Sequence, residues 1–188
     1  MKQFSMFDEQ VAISGLKYIP EYILPDLERE LTDLIDSMPW SSELKRKVQH
    51  YGYKYDYTKK SIDPSYYLGK IPDWLDSLCN NLLNDGIFNE RPDQVIINEY
   101  MPGQGIAAHI DCLSCFSDTI CSLSLGSGCI MDLTSNDIKN SIYLEIRSLL
   151  VLKDEARYKW RHGITPRKSD NEVKRQRRIS LTFRKVIL

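Results

Sequence analysis

The stretch NEYMPGQGIAAHID, residues 98–111, carries the pattern that decides the fold and the chemistry. Asn98 and Tyr100 lie two residues apart, and His109 and Asp111 repeat that spacing after a Pro-Gly turn. Residues i and i+2 of a strand point to the same side, so each pair shares one face. The stretch therefore predicts a strand, a turn and a second strand that presents an imidazole and a carboxylate together.

A third candidate ligand for the same ion is His162, in the segment WRHG at residues 160–163. Two imidazoles and one carboxylate on one side of an ion leave its other positions open, as in the facial triad of non-haem Fe(II) oxygenases. We therefore predict that His109, Asp111 and His162 form a catalytic metal site. The alternative for the HxD pair alone is an ordinary buried histidine bonded to a nearby aspartate.

The C-terminal stretch RISLTFR, residues 178–184, predicts a strand with one apolar and one polar face. The two faces consist of Ile179, Leu181 and Phe183, and of Arg178, Ser180, Thr182 and Arg184. If the polar face looks inward, the two arginines need anionic partners, because an unpaired buried charge is costly. A dicarboxylate such as 2-oxoglutarate would pair with them through bidentate bonds. The alternative is an amphipathic strand whose arginines lie in solvent.

The rest of the chain predicts two helices followed by many short strands. Residues 9–24 indicate a strand and a turn, and a helix then runs from an N-cap at Asp26 to Pro39. Tyrosines at every second position of residues 48–57 indicate a strand or β-ribbon. A second helix occupies residues 72–86. Six strands follow, QVIINEYM, GIAAHID, TICSLSLG, CIMDL, SLLVLK and RRISLTFRKV, so we expect an α+β, mainly β, sandwich or jelly roll buttressed by the helices.

Composition indicates a single globular domain of 188 residues with 42% hydrophobic and 27% charged residues. Because no signal-like start or membrane-length apolar run occurs, we expect an intracellular protein, cytoplasmic or nuclear, without a membrane. The net charge is −1, but residues 153–185 hold 12 Lys and Arg against 4 Asp and Glu. Residues 45–60 hold 6 against 1. These basic regions suit an anionic partner, and we expect the loop at 166–175 to be mobile.

The five cysteines do not predict a disulfide framework, since their number is odd and the expected compartment is reducing. Cys112 and Cys115 form one CxxC pair, which supplies only half of the ligands of a structural zinc site. We expect small core or loop residues here, with zinc binding as the lesser alternative.

Taken together, Asn98-x-Tyr100-x-Pro-Gly, the HxD pair, His162 and Arg178-x5-Arg184 resemble the AlkB family of dioxygenases in order and spacing. The resemblance runs from about Gly15 to the C-terminus. It looks closest to the branch that hydroxylates wobble-uridine modifications in tRNA, on the stretches PDQVIINEYMPGQGIAAHID, SLSLGS, RYKWRHGITPRK and FRKV.

This resemblance implies a double-stranded β-helix in one domain of residues 1–188. Residues 1–92 would supply helices and a nucleotide lid, and residues 93–188 the catalytic core. It implies Fe(II), 2-oxoglutarate and O2 as cofactor and co-substrates, and hydroxylation or demethylation of a nucleic-acid base. The implied roles are iron binding by His109, Asp111 and His162, contact of Arg178 and Tyr100 with the distal carboxylate of 2-oxoglutarate, and contact of Asn98 and Arg184 with its iron-side carboxylate.

The residues that would choose the substrate follow from the same resemblance. We expect Tyr51, Tyr53, Arg157 and Tyr158 to contact it, the tyrosines by stacking on a base; a packed β-ribbon is the alternative. Leu113 stands where some DNA-repair members carry a second acid that contacts the base, which favours RNA over DNA. The tRNA branch often has RNA-recognition and methyltransferase domains, for which this chain has no room. We therefore expect it to find its substrate unaided, to use a separate RNA-binding or methyltransferase partner, or to act on something else. We also expect a monomer.

Two other functions remain open from the sequence. One is a protein side-chain hydroxylase that uses the same site. The other is a non-catalytic nucleic-acid binding module that keeps only the fold.

Overall fold

Two long helices, one short helix and a core of short antiparallel strands make up the computed structural model, which describes residues 12–42 and 46–188. The helices are α1 (Pro25–Ser37), α2 (Asp73–Asn84) and α3 (Asp154–Tyr158). The strands are β1 (Leu16–Ile19), β2 (Val48–Tyr51), β3 (Gln94–Tyr100), β4 (Ile106–His109), β5 (Phe116–Leu125), β6 (Cys129–Ser135), β7 (Ile138–Leu144), β8 (Leu149–Leu152), β9 (Arg161–Ile164), β10 (Ser169–Asp170), β11 (Val173–Lys174) and β12 (Arg178–Val186).

Apart from the β10-β11 hairpin, the strands form a larger and a smaller antiparallel sheet, and from β3 onward the chain passes repeatedly between the two. The larger sheet has the order β1-β8-β5-β12-β3-β2, and the smaller has the order β4-β9-β6-β7. Residues of both sheets line one cavity between them. This is the jelly-roll, or double-stranded β-helix, arrangement, so the predicted mainly β fold is confirmed. β1 and β2 lie at the two edges of the larger sheet, so the N-terminal part contributes strands as well as helices.

The two long helices cover the outer face of the larger sheet. Leu31 and Ile35 of α1 and Leu75, Leu78 and Leu82 of α2 recur at helical spacing and are buried. They pack against one face of the sheet, which includes Val95, Ile97, Leu123, Leu181 and Phe183. The opposite face of β12 is therefore left for the cavity. The predicted N-cap at Asp26 is wrong by two residues, because α1 begins at Pro25 and its cap residue is Leu24.

The predicted ribbon over residues 48–57 is correct only for its first four residues. β2 stops at Tyr51 because Gly52 has a φ of +76°, and a Cβ there would lie 1.9 Å from the carbonyl oxygen of Asp93. Beyond Gly52 the chain makes only isolated bridges, such as Tyr53 with Tyr67. The tyrosines on the two sides of Gly52 consequently do not share one continuous face.

The basic stretch at residues 166–175 forms a β-hairpin held by ion pairs, and not the mobile loop that the sequence predicted. β10 pairs with β11, and the buried carboxylate of Asp170 accepts hydrogen bonds from Arg167 at 2.6 Å and from Arg175 at 2.5 and 2.8 Å. The backbone N–H of Ile130 donates to the same carboxylate. Arg167 and Arg175, which the sequence counted toward a basic surface, therefore stabilise this hairpin by pairing with Asp170.

No helix in the described part of the chain has both the length and the apolar character needed to cross a membrane.

Replacing Leu181 by Ala tests the central position of β12. Leu181 is fully buried on the face of the larger sheet that packs against α1 and α2. Leu181→Ala should therefore lower the free energy of unfolding by about 2–5 kcal/mol. Leu68→Ala is the matched control, because Leu68 is 54% exposed; it should change stability by no more than about 0.5 kcal/mol. Urea titration of both variants measures the difference, and equal midpoints would contradict the described core.

Candidate active site

The two candidate imidazoles meet because β4 and β9 are paired. His109 lies directly opposite His162 in the antiparallel register, and the two ring centroids are 4.4 Å apart. The strands approach closely because glycine follows the second histidine: a Cβ on Gly163 would lie 2.9 Å from the backbone of Ala108. Two residues that are 53 positions apart in sequence therefore share one face of the smaller sheet.

Asp111 completes the cluster two residues beyond His109. Its Oδ1 lies 4.0 Å from Nε2 of His109, and its Oδ2 lies 3.8 Å from Nε2 of His162. One ligand atom from each residue lies within 4.8 Å of the others. This spacing lets the three atoms bind a single ion on one side and leaves the cavity side open.

Asp111 and His162 are in the protonation states that metal ligands need. Burial lowers the pKa of His162 to about 4, which keeps it neutral. Burial alone would raise the pKa of Asp111, but nearby positive charge, that of Arg184 above all, outweighs it and lowers that pKa to about 2. Nδ1 of His109 donates to the carbonyl of Ala107 at 2.9 Å, so Nε2, which lies 4.0 Å from Asp111, is the ring nitrogen left to face an ion.

An unsatisfied acceptor marks the place of the ion. Oδ2 of Asp111 is buried and accepts no hydrogen bond from any described residue. Buried carboxylate oxygens are normally paired, because an isolated one carries a large desolvation cost. A divalent cation between Asp111 and the histidines would satisfy this oxygen, so the donor set fits Fe(II).

The polar face of β12 points into the cavity, as predicted. Arg178 is only 3% exposed, and its Nη2 donates to Oγ of Ser124 at 2.8 Å. Its Nε and Nη1 have no partner among the described residues. The guanidinium lies 5.7 Å from the ring centroid of Tyr100. A buried cation with two free N–H groups fits a carboxylate, and the end of 2-oxoglutarate remote from the metal supplies one.

Arg184 lies at the metal end of the same strand. Its Nη2 donates to Oδ1 of Asp111 at 2.9 Å, and its Nη1 donates to Oε1 of Gln94 at 3.3 Å. The sequence predicted that Arg184 contacts the co-substrate. In the structure it instead donates to the carboxylate of Asp111 in the candidate metal cluster, and its positive charge stabilises the ionised form of that carboxylate. Its Nε has no partner among the described residues, so one donor remains.

A cavity of about 590 Å³ joins these groups. That volume lies within the range of pockets that hold a small molecule, and it is large enough for a small diacid beside a further group. Its lining includes His109, Asp111, His162, Asn98, Tyr100, Arg178 and Arg184, and on the side of the segment after β2 it includes Tyr55, Tyr57 and Lys60.

The predicted stacking tyrosines lie elsewhere. Tyr51 packs edge-on against Trp74 in the helix-facing core, and Tyr53 packs against Tyr67. Neither lines the cavity. Tyr55 and Tyr57 of the same run do, in edge contact with each other at 5.2 Å between centroids. The two-residue period marked the right segment, but only the turn at Gly52 decides which tyrosines face the cavity.

Arg157 and Tyr158 also lie outside the cavity. Arg157 is 2% exposed and donates to the carbonyls of Asp111, Cys112, Phe116 and Ser117 at 3.0–3.3 Å. It therefore holds the loop that follows the metal-ligand aspartate and does not face a substrate. Tyr158 is exposed and stacks on the guanidinium of Arg157. The sequence offers no signal for this role, because the four carbonyls are backbone atoms 40 or more positions away.

Cys112 and Cys115 are joined by a disulfide in this same loop. The expectation of unpaired small residues, and the lesser alternative of zinc, are therefore wrong for this pair. Both sulfur atoms also approach the carbonyl of Lys60, at 3.5 and 3.6 Å. The loop after Asp111 is thus linked to the segment that carries Tyr55 and Tyr57.

The fold and the site define a non-haem iron oxygenase of the jelly-roll type. Residues 29–184 match the family model of the 2OG-Fe(II) oxygenase superfamily. The chain belongs to this superfamily, and it is an oxidoreductase that uses Fe(II), 2-oxoglutarate and O2.

Several known proteins are similar to this chain over most of its length. Uncharacterized protein L905 of Acanthamoeba polyphaga mimivirus is 40% identical, covering 93% of this chain and 86% of that protein. The alkylated DNA repair protein ALKBH8 homolog of Arabidopsis thaliana is 34% identical, covering 97% and 61%. The tRNA (carboxymethyluridine(34)-5-O)-methyltransferase alkbh8 of Xenopus tropicalis is 37% identical, covering 92% and 32%. The chain thus spans only about a third of the Xenopus protein and about three fifths of the Arabidopsis one.

A solved structure supports the fold. The structure of OsALKBH1 superposes with a TM-score of 0.72 at 16% identity, covering 91% of this chain and 96% of that one.

Asp111→Ala tests the metal cluster by equilibrium binding. Loss of a group that only supports a metal ligand weakens metal binding by about 10–100-fold. Asp111 is the carboxylate of the cluster itself, so its removal should weaken Mn(II) binding by more than that. Asp118→Ala is the control, because this carboxylate lies outside the cluster. Calorimetric titration with Mn(II) measures both variants, and undiminished affinity in Asp111→Ala would remove Asp111 from the site.

Arg157→Lys tests the loop clamp. A lysine cannot serve four carbonyls at once, so unsatisfied acceptors should lower the free energy of unfolding by about 1–3 kcal/mol. Amide hydrogen exchange of residues 111–117 should accelerate. Lys159→Ala, at the residue that follows α3, removes an exposed ion pair with Glu155 and should cost less than about 0.5 kcal/mol. Unchanged exchange in Arg157→Lys would show that the loop does not depend on this side chain.

Proposed function

We propose that this protein is an Fe(II)- and 2-oxoglutarate-dependent dioxygenase that hydroxylates or demethylates a nucleic-acid base, with RNA, and tRNA in particular, preferred over DNA. The observation that carries the proposal is that one cavity combines the metal cluster, the two free N–H groups of Arg178 and the aromatic pair Tyr55 and Tyr57.

The site residues take separate roles in this proposal. His109, Asp111 and His162 hold the iron. Arg178, assisted by Tyr100, binds the distal carboxylate of 2-oxoglutarate. When they are bound, iron and 2-oxoglutarate supply the oxidation: one atom of O2 goes to succinate, which forms with CO2, and the other enters a C–H bond of the substrate. A hydroxylated carbon attached to nitrogen then leaves as formaldehyde, which demethylates the base.

The protein contributes orientation and control of charge. Asn98 and the remaining donor of Arg184 are positioned to contact the carboxylate of 2-oxoglutarate that lies nearer the metal. The bond from Arg184 to Asp111 keeps the aspartate ionised without occupying Oδ2. The apolar walls of the cavity, including Met131, Leu150 and Leu152, limit water around the reacting centre.

Tyr55 and Tyr57 are the proposed contacts for the target base. Aromatic side chains stack on any base, and alanine substitution typically costs about 1–3 kcal/mol per base. Lys60, which lines the cavity and is exposed, is suited to a phosphate. These residues replace Tyr51, Tyr53, Arg157 and Tyr158 in the proposal, since those four lie outside the cavity.

The preference for RNA has two supports. Leu113 provides no acid where some DNA-repair members of the AlkB family have one, and the Xenopus relative is named for a tRNA base. The Arabidopsis relative is named for DNA repair, so DNA is tested as a substrate beside RNA.

The remaining expectations stay predictions of this proposal. They are a lid-bearing part at residues 1–92 and a core at residues 93–188, a monomer in the cytoplasm or nucleus, and a separate RNA-binding or methyltransferase partner.

Nucleoside mass spectrometry tests the substrate class. The protein is incubated with Fe(II), 2-oxoglutarate and tRNA, other RNA or DNA, and succinate is measured in parallel. We expect a hydroxylated or demethylated nucleoside in tRNA and none with Asp111→Ala. A product only in DNA would contradict the RNA preference. A +16 shift on protein would indicate a side-chain hydroxylase, and no succinate with any substrate would indicate a binding module.

Tyr55→Ala and Tyr57→Ala test the stacking surface. Loss of one stacking ring should raise the KM for nucleic acid by about 5–150-fold, which corresponds to about 1–3 kcal/mol. Succinate formation without nucleic acid should stay unchanged, because neither tyrosine is assigned to the co-substrate. Tyr67→Ala removes an exposed tyrosine outside the cavity and serves as the control. An equal effect of all three substitutions would argue against a specific base contact.

A further inference from the structure

Arg46 lies beside the co-substrate residues, although no motif points to it. It precedes β2 in the chain and lines the cavity. Its Nε donates to Oδ1 of Asn98 at 2.8 Å, and its guanidinium lies 5.8 Å from the ring centroid of Tyr100. Arg178 lies at 5.7 Å from the same ring. Tyr100 therefore has a guanidinium from β12 and another from the chain before β2 as neighbours.

The hydrogen bond from Arg46 determines which way the amide of Asn98 points. An arginine has only donors, so it must face the carbonyl oxygen of the amide. The NH2 group of Asn98 is then directed away from Arg46. Asn98 is 7% exposed and lines the cavity, and its Nδ2 donates to no described residue. Without Arg46 the amide could rotate and present an acceptor to the cavity, which would repel a carboxylate.

The pairing of Arg46 differs from that of the arginines that stabilise the fold. Arg175 pairs with Asp170, and Arg177 pairs with Asp36 and Glu99. Among the described residues no carboxylate pairs with Arg46, and its one hydrogen bond goes to a neutral amide that lines the cavity. A structural role would not require that partner.

We propose that Arg46 is a positioning residue for 2-oxoglutarate: it holds the Asn98 amide so that its NH2 group donates to the carboxylate of the co-substrate. This inference rests on the proposed function, because it assumes that 2-oxoglutarate occupies the cavity. It also makes the segment before β2 part of the co-substrate site, so that this site is built from both halves of the chain.

The test is calorimetric binding of 2-oxoglutarate to the Mn(II)-loaded protein, which needs no turnover. Arg46→Ala should weaken binding about tenfold, the effect of one charge-assisted hydrogen bond. Arg46→Lys keeps a donor for Oδ1 of Asn98 and should recover part of the affinity. In steady-state assays with Fe(II), the KM for 2-oxoglutarate should rise with Arg46→Ala while kcat at saturation stays within about twofold of the unmodified enzyme.

A double-mutant cycle with Asn98→Ala shows whether Arg46 acts through the amide. If it does, adding Arg46→Ala to Asn98→Ala weakens binding by less than about twofold, because coupled residues are not additive. The matched control is Arg91→Ala. Nε of Arg91 donates to Oδ1 of Asn80 at 2.9 Å outside the cavity, and its loss should leave the affinity for 2-oxoglutarate unchanged.

Each result has a distinct meaning. If the unmodified Mn(II)-loaded protein does not bind 2-oxoglutarate, the proposed function and this inference both fall. If it binds and Arg46→Ala binds equally well, only the role of Arg46 falls. Additive losses in the cycle, or weaker binding of nucleic acid with unchanged binding of 2-oxoglutarate, would show that Arg46 contacts a ligand directly and would overturn the positioning role.

Discussion

The cross-strand pair of His109 and His162 is the contact on which the rest of the site depends. A slip of one residue between β4 and β9 would turn one imidazole to the opposite face of the smaller sheet, because side chains alternate along a strand. Two glycines permit the close approach of the strands: a Cβ on Gly105 would lie 2.1 Å from the carbonyl oxygen of Ile164, and one on Gly163 would meet Ala108. The register of this short pair thus places both imidazoles where they could bind one ion.

Charge balance around Asp111 links the metal cluster to the larger sheet. Arg184 of β12 donates to one carboxylate oxygen, and the other remains available to a cation. Arg157 fixes the backbone of the same residue through the carbonyl of Asp111. The pair with Arg184 joins the loop that follows β4 to the larger sheet, so it fixes the candidate metal cluster relative to the polar face of β12. Loss of either arginine would leave buried groups without partners, which is costly in a low-dielectric interior.

Local spacing in the sequence predicted the parts of the site that depend on one strand. Strand alternation correctly grouped Asn98 with Tyr100, and Arg178 with Arg184, on one face each, because alternation is a property of the strand itself. The spacing left open whether the arginine face meets the cavity or solvent, and the structure places it at the cavity. Features that depend on distant backbone were not predictable. Gly52 turns the chain where Asp93 approaches, the hairpin at residues 169–174 closes around Asp170, and Arg157 binds carbonyls that no side-chain pattern marks. The disulfide of Cys112 and Cys115 was missed because compartment and cysteine count say nothing about local geometry.

Anomalous diffraction from crystals soaked with Mn(II) and 2-oxoglutarate is the most direct test of the central claim. We expect a single manganese peak within coordination distance of Nε2 of both histidines and of a carboxylate oxygen of Asp111, with the co-substrate extending from the metal to Arg178. A manganese peak that lacks either histidine as a ligand, or a co-substrate carboxylate that lies away from Arg178, would contradict it.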